Sequence, residues 1–384
     1  MTRHVSLKML MGDRAKYVSI IFGLTFASLL ITQQAGIFLG IMARTFSTMS
    51  DLEVADIWVM DPMVQYLDDV YGLPLTQLYR VRGVDGVEWA VPFYKGQLRA
   101  RLKDGRFQTL VVMGIDDATL IGGPPRMLEG QVADLRRTDA IIVDSIGAST
   151  RLSQREPEGE RPLRLGDTLE INDNRALVVG FCQVTRPFST MPIVYMTYSQ
   201  ALQYAPQERK MLPFILVKAK DGVDHRELAT RIHATTGLGA YSTADFKRLT
   251  VTYYLKNTAI PFNFGTSALL GFLVGTAVAG QTFYSFTLDN LKYFATFKAM
   301  GATNGLLFRM ILLQAFFVGA TGFGLGAGLA SLFGFILRKG EFAFWLPWQL
   351  LLSSAVAVSL ICLGAAAMSI RKVIRLEPGV VFKG

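Results

Sequence analysis

Four stretches of this sequence contain no charged residue: Tyr17 to Ala43, Asn257 to Leu288, Met310 to Leu337 and Phe342 to Ile370, of 27, 32, 28 and 29 residues. An α-helix rising 1.5 Å per residue needs about 20 apolar residues to cross a hydrocarbon layer of roughly 30 Å, and an Asp, Lys or Arg at its centre costs about 2.5–3.5 kcal/mol. Each stretch therefore predicts a transmembrane helix. The next longest uncharged run, Pro187 to Gln207, holds three prolines and many Ser, Thr, Gln and Tyr, and predicts none.

The long segment between the first two stretches has a different pattern. Ala55 to Met60 alternates as a strand, Leu75 to Val81 suits a short helix after Pro74, and Val87 to Ile115 holds strands broken by a turn at Lys103-Asp104-Gly105. Further on, Phe214 to Ala219 predicts a strand, Asp224 caps a helix running through His233, and Gly239 to Thr243 is strand-like. These are two strand–helix–strand units, far apart in sequence, that can share one sheet. Asp139 to Val143 and Thr168 to Tyr195 add strands between them, and the polar stretch Ser153 to Pro162 predicts a mobile surface loop. A second lobe over residues 126–206 is one arrangement of this middle part. Residues 244–256 predict a helix that forms a stalk with the segment after Ala43.

The fold class is thus an α-helical membrane protein with four transmembrane helices plus a large extracytoplasmic mixed α+β domain inserted between helices 1 and 2. Its parts are a cytoplasmic amphipathic segment 1–16, helix 1 at 17–43, the domain and stalk at 44–256, helix 2 at 257–288, and a cytoplasmic helix at 289–305. Helix 3 at 306–337, a short loop 338–345, helix 4 at 346–370 and a tail 371–384 complete it. For residues 3–16, an amphipathic helix on the inner membrane surface and a solvated extension of helix 1 are both compatible with the pattern.

Composition sharpens this picture. With 51% hydrophobic and 18% charged residues, the apolar-to-charged ratio is about half again that of a soluble globular protein. The net charge of +9 suggests a nucleic-acid partner until it is divided by segment. Arg44 to Lys256 carries 26 basic and 26 acidic residues, so all the excess lies among the flanks of the spans. Arg3, Lys8, Arg14, Lys16, Lys292, Lys298, Arg309, Arg371, Lys372, Arg375 and Lys383, set against Asp13, Asp289 and Glu377, give +8 on one side, while Arg338 to Glu341 gives +1. The positive-inside bias puts both termini and the 289–305 helix in the cytoplasm and the large domain outside, and leaves no role for nucleic acid. Tyr17 to Ala43 exceeds the apolar core of a cleaved signal, about 7–15 residues, and reads as a retained anchor. Cys182 and Cys362 fall in different compartments and act as small apolar fillers.

Glycines recur through the spans. Gly271, Gly275 and Gly280 in the second and Gly322 and Gly326 in the third allow close helix approach, either within one chain or between subunits. Trp345, Pro347 and Trp348 suit an interfacial belt. No ionisable residue lies within a span, which disfavours an ion-coupled carrier, and polar residues lining the spans are not expected. The sequence has no G-x-x-x-x-G-K-[ST], H-E-x-x-H or C-x-x-C, and His225 and His233 fall eight apart in an exposed helix. The chain thus supplies no nucleotide, metal or other cofactor site of its own, and energy for any transport must come from a partner.

After the second span, Asp289, Asn290 and Lys292 precede Tyr293, Phe294, Ala295, Phe297, Lys298, Ala299, Met300, Gly301 and Ala302. They predict a short helix with Phe294, Ala295, Phe297, Ala299 and Met300 on a greasy side calling for a protein or lipid partner, and Gly301 at its C-cap. The run Tyr293-Phe-Ala-Thr-Phe-Lys-Ala-Met-Gly-Ala302 resembles the coupling segment of MacB/FtsX-like permeases of ABC transporters, most nearly the DevC-type subfamily. Asn257 to Gly265, Gly280 to Tyr284 and Arg375 to Gly379 support the resemblance, as does the order of one span, a large domain and three spans.

The resemblance implies a bacterial inner-membrane permease that pairs with a second copy of itself and binds two copies of a separate ABC ATPase, which would use the ATP and Mg. It further implies membrane lipids around it, a periplasmic membrane-fusion adaptor, an outer-membrane duct, and export of a lipid, glycolipid, peptide or hydrophobic compound by mechanical transmission. The enzymatic activity would reside in the partner chain. A second reading is an FtsX-like regulator of an extracellular cell-wall hydrolase. A membrane sensor is a third, but the inner segments are too short to hold a signalling domain.

Overall fold

The computed structural model describes residues 2–157, 159–206, 211–337 and 342–374. The first half contains α1 (Thr2–Gly12), α2 (Arg14–Thr45), α3 (Ser47–Asp51), β1 (Ile57–Met60), α4 (Thr76–Arg82), β2 (Val87–Arg101), β3 (Phe107–Ile115), β4 (Arg126–Glu129), β5 (Ala140–Asp144), α5 (Ser145–Ser149), β6 (Gln154–Glu156) and β7 (Gly159–Arg161). The second contains β8 (Thr168–Ile171), β9 (Asn174–Gln183), β10 (Ile193–Thr197), α6 (Tyr198–Tyr204), β11 (Phe214–Ala219), α7 (His225–Thr236), β12 (Gly239–Ser242), α8 (Thr243–Asn257), α9 (Ile260–Asp289), α10 (Leu291–Ala299), α11 (Asn304–Leu337) and α12 (Trp348–Ile374). Among the described residues the chain forms two compact units: a sheet unit, Met42–Thr258, and a helical unit drawn from Met1–Ile41 and Ala259–Gly384.

The sheet unit is organised by ten strands in the order β12-β1-β11-β2-β3-β10-β5-β9-β4, with β8 pairing β2 and β9. The two strand–helix–strand units interleave at one end as β12-β1-β11-β2, all antiparallel, with Trp58 opposite Leu216. This is a split β-α-β arrangement. β2 is long enough to serve two neighbours: Val87 to Phe93 pairs with β11, and Tyr94 to Arg101 pairs with β3. The Lys103-Asp104-Gly105 turn closes that hairpin with Gly105 at φ +83°, a left-handed value glycine adopts without a Cβ penalty.

Apart from the β6–β7 hairpin, the strands of residues 126–206 join the ten-stranded sheet. β10 runs parallel to β3, and β5, β9 and β4 extend the same sheet from it. Neighbouring residues in a strand point to opposite faces, so Ile57, Ile141 and Ile215 enter one apolar core while Trp58, Ile142 and Leu216 enter the other. Both faces are therefore covered, which explains the continuous apolar runs in these strands.

Part of the Ser153–Pro162 segment, predicted as a mobile loop, forms the β6–β7 hairpin instead, with Gln154 opposite Arg161. Arg161 is its hub: Nε donates to Glu156 at 2.6 Å and Nη1 to Asp167 at 3.0 Å. Cross-strand charge pairs hold this ladder where apolar alternation is lacking. Asp224 accepts from the amides of Arg226 and Glu227 as expected of an N-cap, but α7 continues past His233 to Thr236, since Gly237, at φ +76°, is the residue that can end it left-handed.

In the helical unit α2, α9, α11 and α12 are long and apolar enough to cross a membrane. Asp13 starts α2, its carboxylate accepting from the Lys16 amide. α9 begins later than the sequence pattern suggests, with Pro261 in its first turn after an extended Thr258. α12 begins after Pro347, whose carbonyl accepts from the Leu350 amide. Just before it, the Trp345 amide donates to the Gly36 carbonyl at 3.0 Å, and the Phe344 ring lies against Gly36 and Gly334. The predicted loop 338–345 lies outside the described residues as far as 341, and the tail, including the Arg375–Gly379 motif, lies outside them after 374.

α1 is docked on α11. Leu10 is buried, Ser6 Oγ donates to the Met310 carbonyl at 2.9 Å, and Gln314 Nε2 donates to the Ser6 carbonyl at 2.9 Å. The spans also hold buried polar residues, contrary to expectation: Gln314, Ser28, Thr287 and Ser369 are all buried. Each of these four has a partner; Ser28 Oγ donates to the Phe323 carbonyl, and Thr287 and Ser369 bond to each other.

Candidate coupling site

α9 ends at Asp289, and Asn290 turns the chain directly into α10. Its side-chain amide donates to the Phe286 carbonyl at 2.9 Å, satisfying one of the carbonyls that a helix end leaves open. The far end of α10 is closed by a Schellman arrangement: the Gly301 amide donates to Lys298 and the Ala302 amide to Phe297, at 3.1 and 2.9 Å. Gly301 has φ +91°, as its predicted place requires.

Between these ends α10 has two faces. Phe294 and Ala295 are fully buried and belong to the same apolar cluster as Leu10, Phe286, Leu307 and Met310. Leu291, Phe297 and Lys298 are half-buried beside them, as is Ala302 just beyond the helix. Lys292, Tyr293, Thr296, Ala299 and Met300 face away together, followed by exposed Gly301. Tyr293 is 62% and Met300 69% exposed. The predicted greasy side is thereby divided: Phe294, Ala295 and Phe297 anchor the helix, while Ala299 and Met300 join Tyr293 on the opposite, open face. A helix apolar on both sides carries too little contrast for its sequence to show which side is inward.

The anchored end is braced further. Lys16 lies 3.4 Å from Asp13 and also pairs with Asp289, linking the start of α2 to the end of α9. The packing glycines lie at contacts within the chain. A Cβ on Gly271 would stand 3.0 Å from Leu30, on Gly275 2.3 Å from Ala27, and on Gly280 2.4 Å from the end of Met368. On Gly322 it would stand 2.6 Å from Leu24 Cβ, and on Gly326 2.6 Å from the Thr25 carbonyl oxygen.

In the sheet unit, the loop after β9 grips both segments that continue into spans. Thr185 bonds to Asp51 of α3, and Phe188 lies 5.5 Å from Tyr254 of α8. Tyr66 stacks on Tyr253 at 4.2 Å. Burial raises the Asp51 carboxyl above its ordinary range, against the two Thr185 hydrogen bonds that lower it. Among the described residues no group of three or more His, Cys, Asp or Glu could hold a metal ion. His233 Nδ1 lies 2.7 Å from the Leu238 carbonyl, and His225 3.8 Å from Asp56. Cys182 and Cys362 are both buried and free.

Comparison with known proteins matches residues 20–235 to the MacB-like periplasmic core domain and residues 265–378 to the FtsX-like permease C-terminal region. Two proteins of Mycobacterium tuberculosis, from strains CDC 1551 / Oshkosh and H37Rv, each described as an uncharacterized ABC transporter permease, are 24% identical over 318 residues, covering 81% of this chain and 79% of theirs. Among solved structures, the periplasmic region of MacB from Actinobacillus actinomycetemcomitans is 13% identical, with a TM-score of 0.36, covering 55% of this chain and 96% of that one. The extracellular domain of YknZ, a noncanonic ABC-type transporter from Gram-positive bacteria, is 12% identical, with a TM-score of 0.34 over 49% of this chain and 98% of that one.

Proposed function

The chain belongs to the MacB/FtsX-type family of ABC transporter permeases, and from that membership we propose that the open face of α10 is the seat of a separate ATPase. The carrying observation is the division of α10: Phe294 is buried in the bundle while Tyr293 and Met300 are exposed beside Lys292. Exposed large apolar residues on a short helix suit a protein socket. The buried side makes α10 a lever, because a push on Tyr293 or Met300 is delivered through Phe294 to the cluster shared by α1, α9, α11 and α12. Close-packed interiors transmit such displacements with little compression.

In this reading the permease resides in the bacterial inner membrane as a dimer, with its termini and α10 in the cytoplasm and the sheet unit in the periplasm. The basic rim of +8 supports the orientation. ATP and Mg act in the partner, and the sheet unit works with a membrane-fusion adaptor and an outer-membrane duct to expel a lipid, glycolipid, peptide or hydrophobic compound. The grip of the β9–β10 loop on α3 and α8 supports a mechanical role for the sheet unit, since both segments bear on the same sheet.

The test is to purify the permease with its partner ATPase and measure ATP hydrolysis with and without the adaptor and candidate lipids. Stimulation by the adaptor together with a cargo is expected. Stimulation by an extracellular cell-wall hydrolase instead would identify an FtsX-like regulator and overturn the exporter reading.

A further inference from the structure

A groove of about 490 Å³ runs between α11 and α12. Its floor is small: a Cβ on Gly319 would stand 2.8 Å from Cys362 Sγ, and Ala320 lies next to them. Its α11 rim is large, formed by Leu312, Phe316 and Phe323, with Phe316 74% exposed. Small residues lie below and large ones at the edge.

The position of the groove along the helix identifies its occupant. From Leu312 to Phe323 it follows α11 for 11 residues, about 16 Å at 1.5 Å each, close to half of the roughly 30 Å hydrocarbon thickness. That is the depth of one leaflet. Arg309 lies three residues before Leu312 and seven before Phe316, so it stands on the same helical face at the end of the groove. Its side chain is exposed, and among the described residues it has no ion-pair partner. No charge follows it until after Leu337, so Arg309 marks the level where this helix meets the headgroups.

We propose that the groove is a phospholipid site: one acyl chain of an anionic phospholipid, from the leaflet on the Arg309 side, lies between α11 and α12 with its phosphate on the Arg309 guanidinium. A guanidinium offers a planar fork of donors matched to phosphate oxygens. A basic side chain at an anionic surface adds about fivefold to lipid affinity, whereas a zwitterionic headgroup carries no net charge to attract it. The site requires only that α11 and α12 span the membrane and is independent of the role given to α10.

The test is native mass spectrometry of the full chain in detergent, titrated with phosphatidylglycerol or phosphatidylethanolamine at equal concentrations. The wild type is expected to retain one phosphatidylglycerol per chain, about fivefold in preference to phosphatidylethanolamine. Arg309→Gln removes the preference and Arg309→Lys keeps most of it. Ala320→Phe, at an exposed position, fills the floor and abolishes retention of both lipids while the unfolding temperature stays unchanged. A wild type with no preference, an Arg309→Gln variant that keeps it, or an Ala320→Phe variant that retains lipid normally would overturn the proposal. So would a chain that fills the groove with a second copy of itself or with cargo and holds no lipid.

Discussion

Thr185 donates twice to the carboxylate of Asp51, from its backbone nitrogen at 2.8 Å and from its hydroxyl at 2.6 Å. Asp51 ends the short helix that follows α2, and Thr185 belongs to the loop whose Phe188 packs on Tyr254 of α8. One loop thus holds the chain where it arrives from the first span and where it leaves for the second.

The Asp51 contact has a pH signature of definite sign. Its folded carboxyl is raised above the ordinary carboxylate range, chiefly by burial, so folding favours the protonated form. The stabilisation is complete below the unfolded pKa and is lost as pH rises through the raised folded value. Asp51→Asn, which cannot ionise, lacks this slope. Thermal unfolding of the full chain in detergent, followed from pH 3.5 to 7, should show the wild type losing stability relative to Asp51→Asn as pH rises, and a relative gain would contradict the assignment.

Phe294 and Tyr293 are adjacent but should fail differently. Phe294→Ala opens a cavity in the bundle and is expected to cost about 3–5 kcal/mol of stability. Tyr293→Ala, at a 62% exposed position, should change stability by less than about 0.5 kcal/mol yet weaken capture of the ATPase. Thermal unfolding and co-purification, measured on the same samples, separate the two losses.

Glycines in α11 should divide by what surrounds them. Gly322 and Gly326 face Leu24 and the Thr25 carbonyl, so Ala at either forces α2 and α11 apart and should cost about 1–3 kcal/mol. Gly324 and Gly328 have nothing within 4 Å, and Ala there should be neutral or slightly stabilising. Unfolding temperatures of the four variants in one detergent provide the comparison.

Gln314→Leu keeps the volume of a buried side chain but removes the side-chain donor to the Ser6 carbonyl, which keeps its bond within α1. The expected cost is about 0.5–1.5 kcal/mol, localised at α1. Hydrogen exchange should show α1 losing protection while the sheet unit is unchanged.

Much of this architecture is legible in the sequence, for physical reasons. The price of charge in hydrocarbon marks the four spans by the absence of charged residues, and Asp224 and Gly105 announce a cap and a turn through local chemistry. The β6–β7 hairpin is not legible, because Arg161 holds it through charge pairs in a segment with the composition of a loop. The docking of α1 adds to the buried Leu10 a hydroxyl and an amide 308 residues apart, on Ser6 and Gln314, for which no periodicity gives a signal. The coupling helix is legible as an element but not in its facing, since Phe294 and Met300 are equally apolar and packing alone decides between them.

The most direct measurement of the coupling role is site-directed crosslinking in the assembled complex. Single cysteines replace Tyr293, Met300 and Phe294 in a background with Cys182 and Cys362 removed, and a short thiol-to-amine reagent probes the partner ATPase. Crosslinks from positions 293 and 300, modulated by ATP and absent from 294, are the expected result. A complex that forms and hydrolyses ATP but gives no crosslink from 293 or 300 would contradict the account.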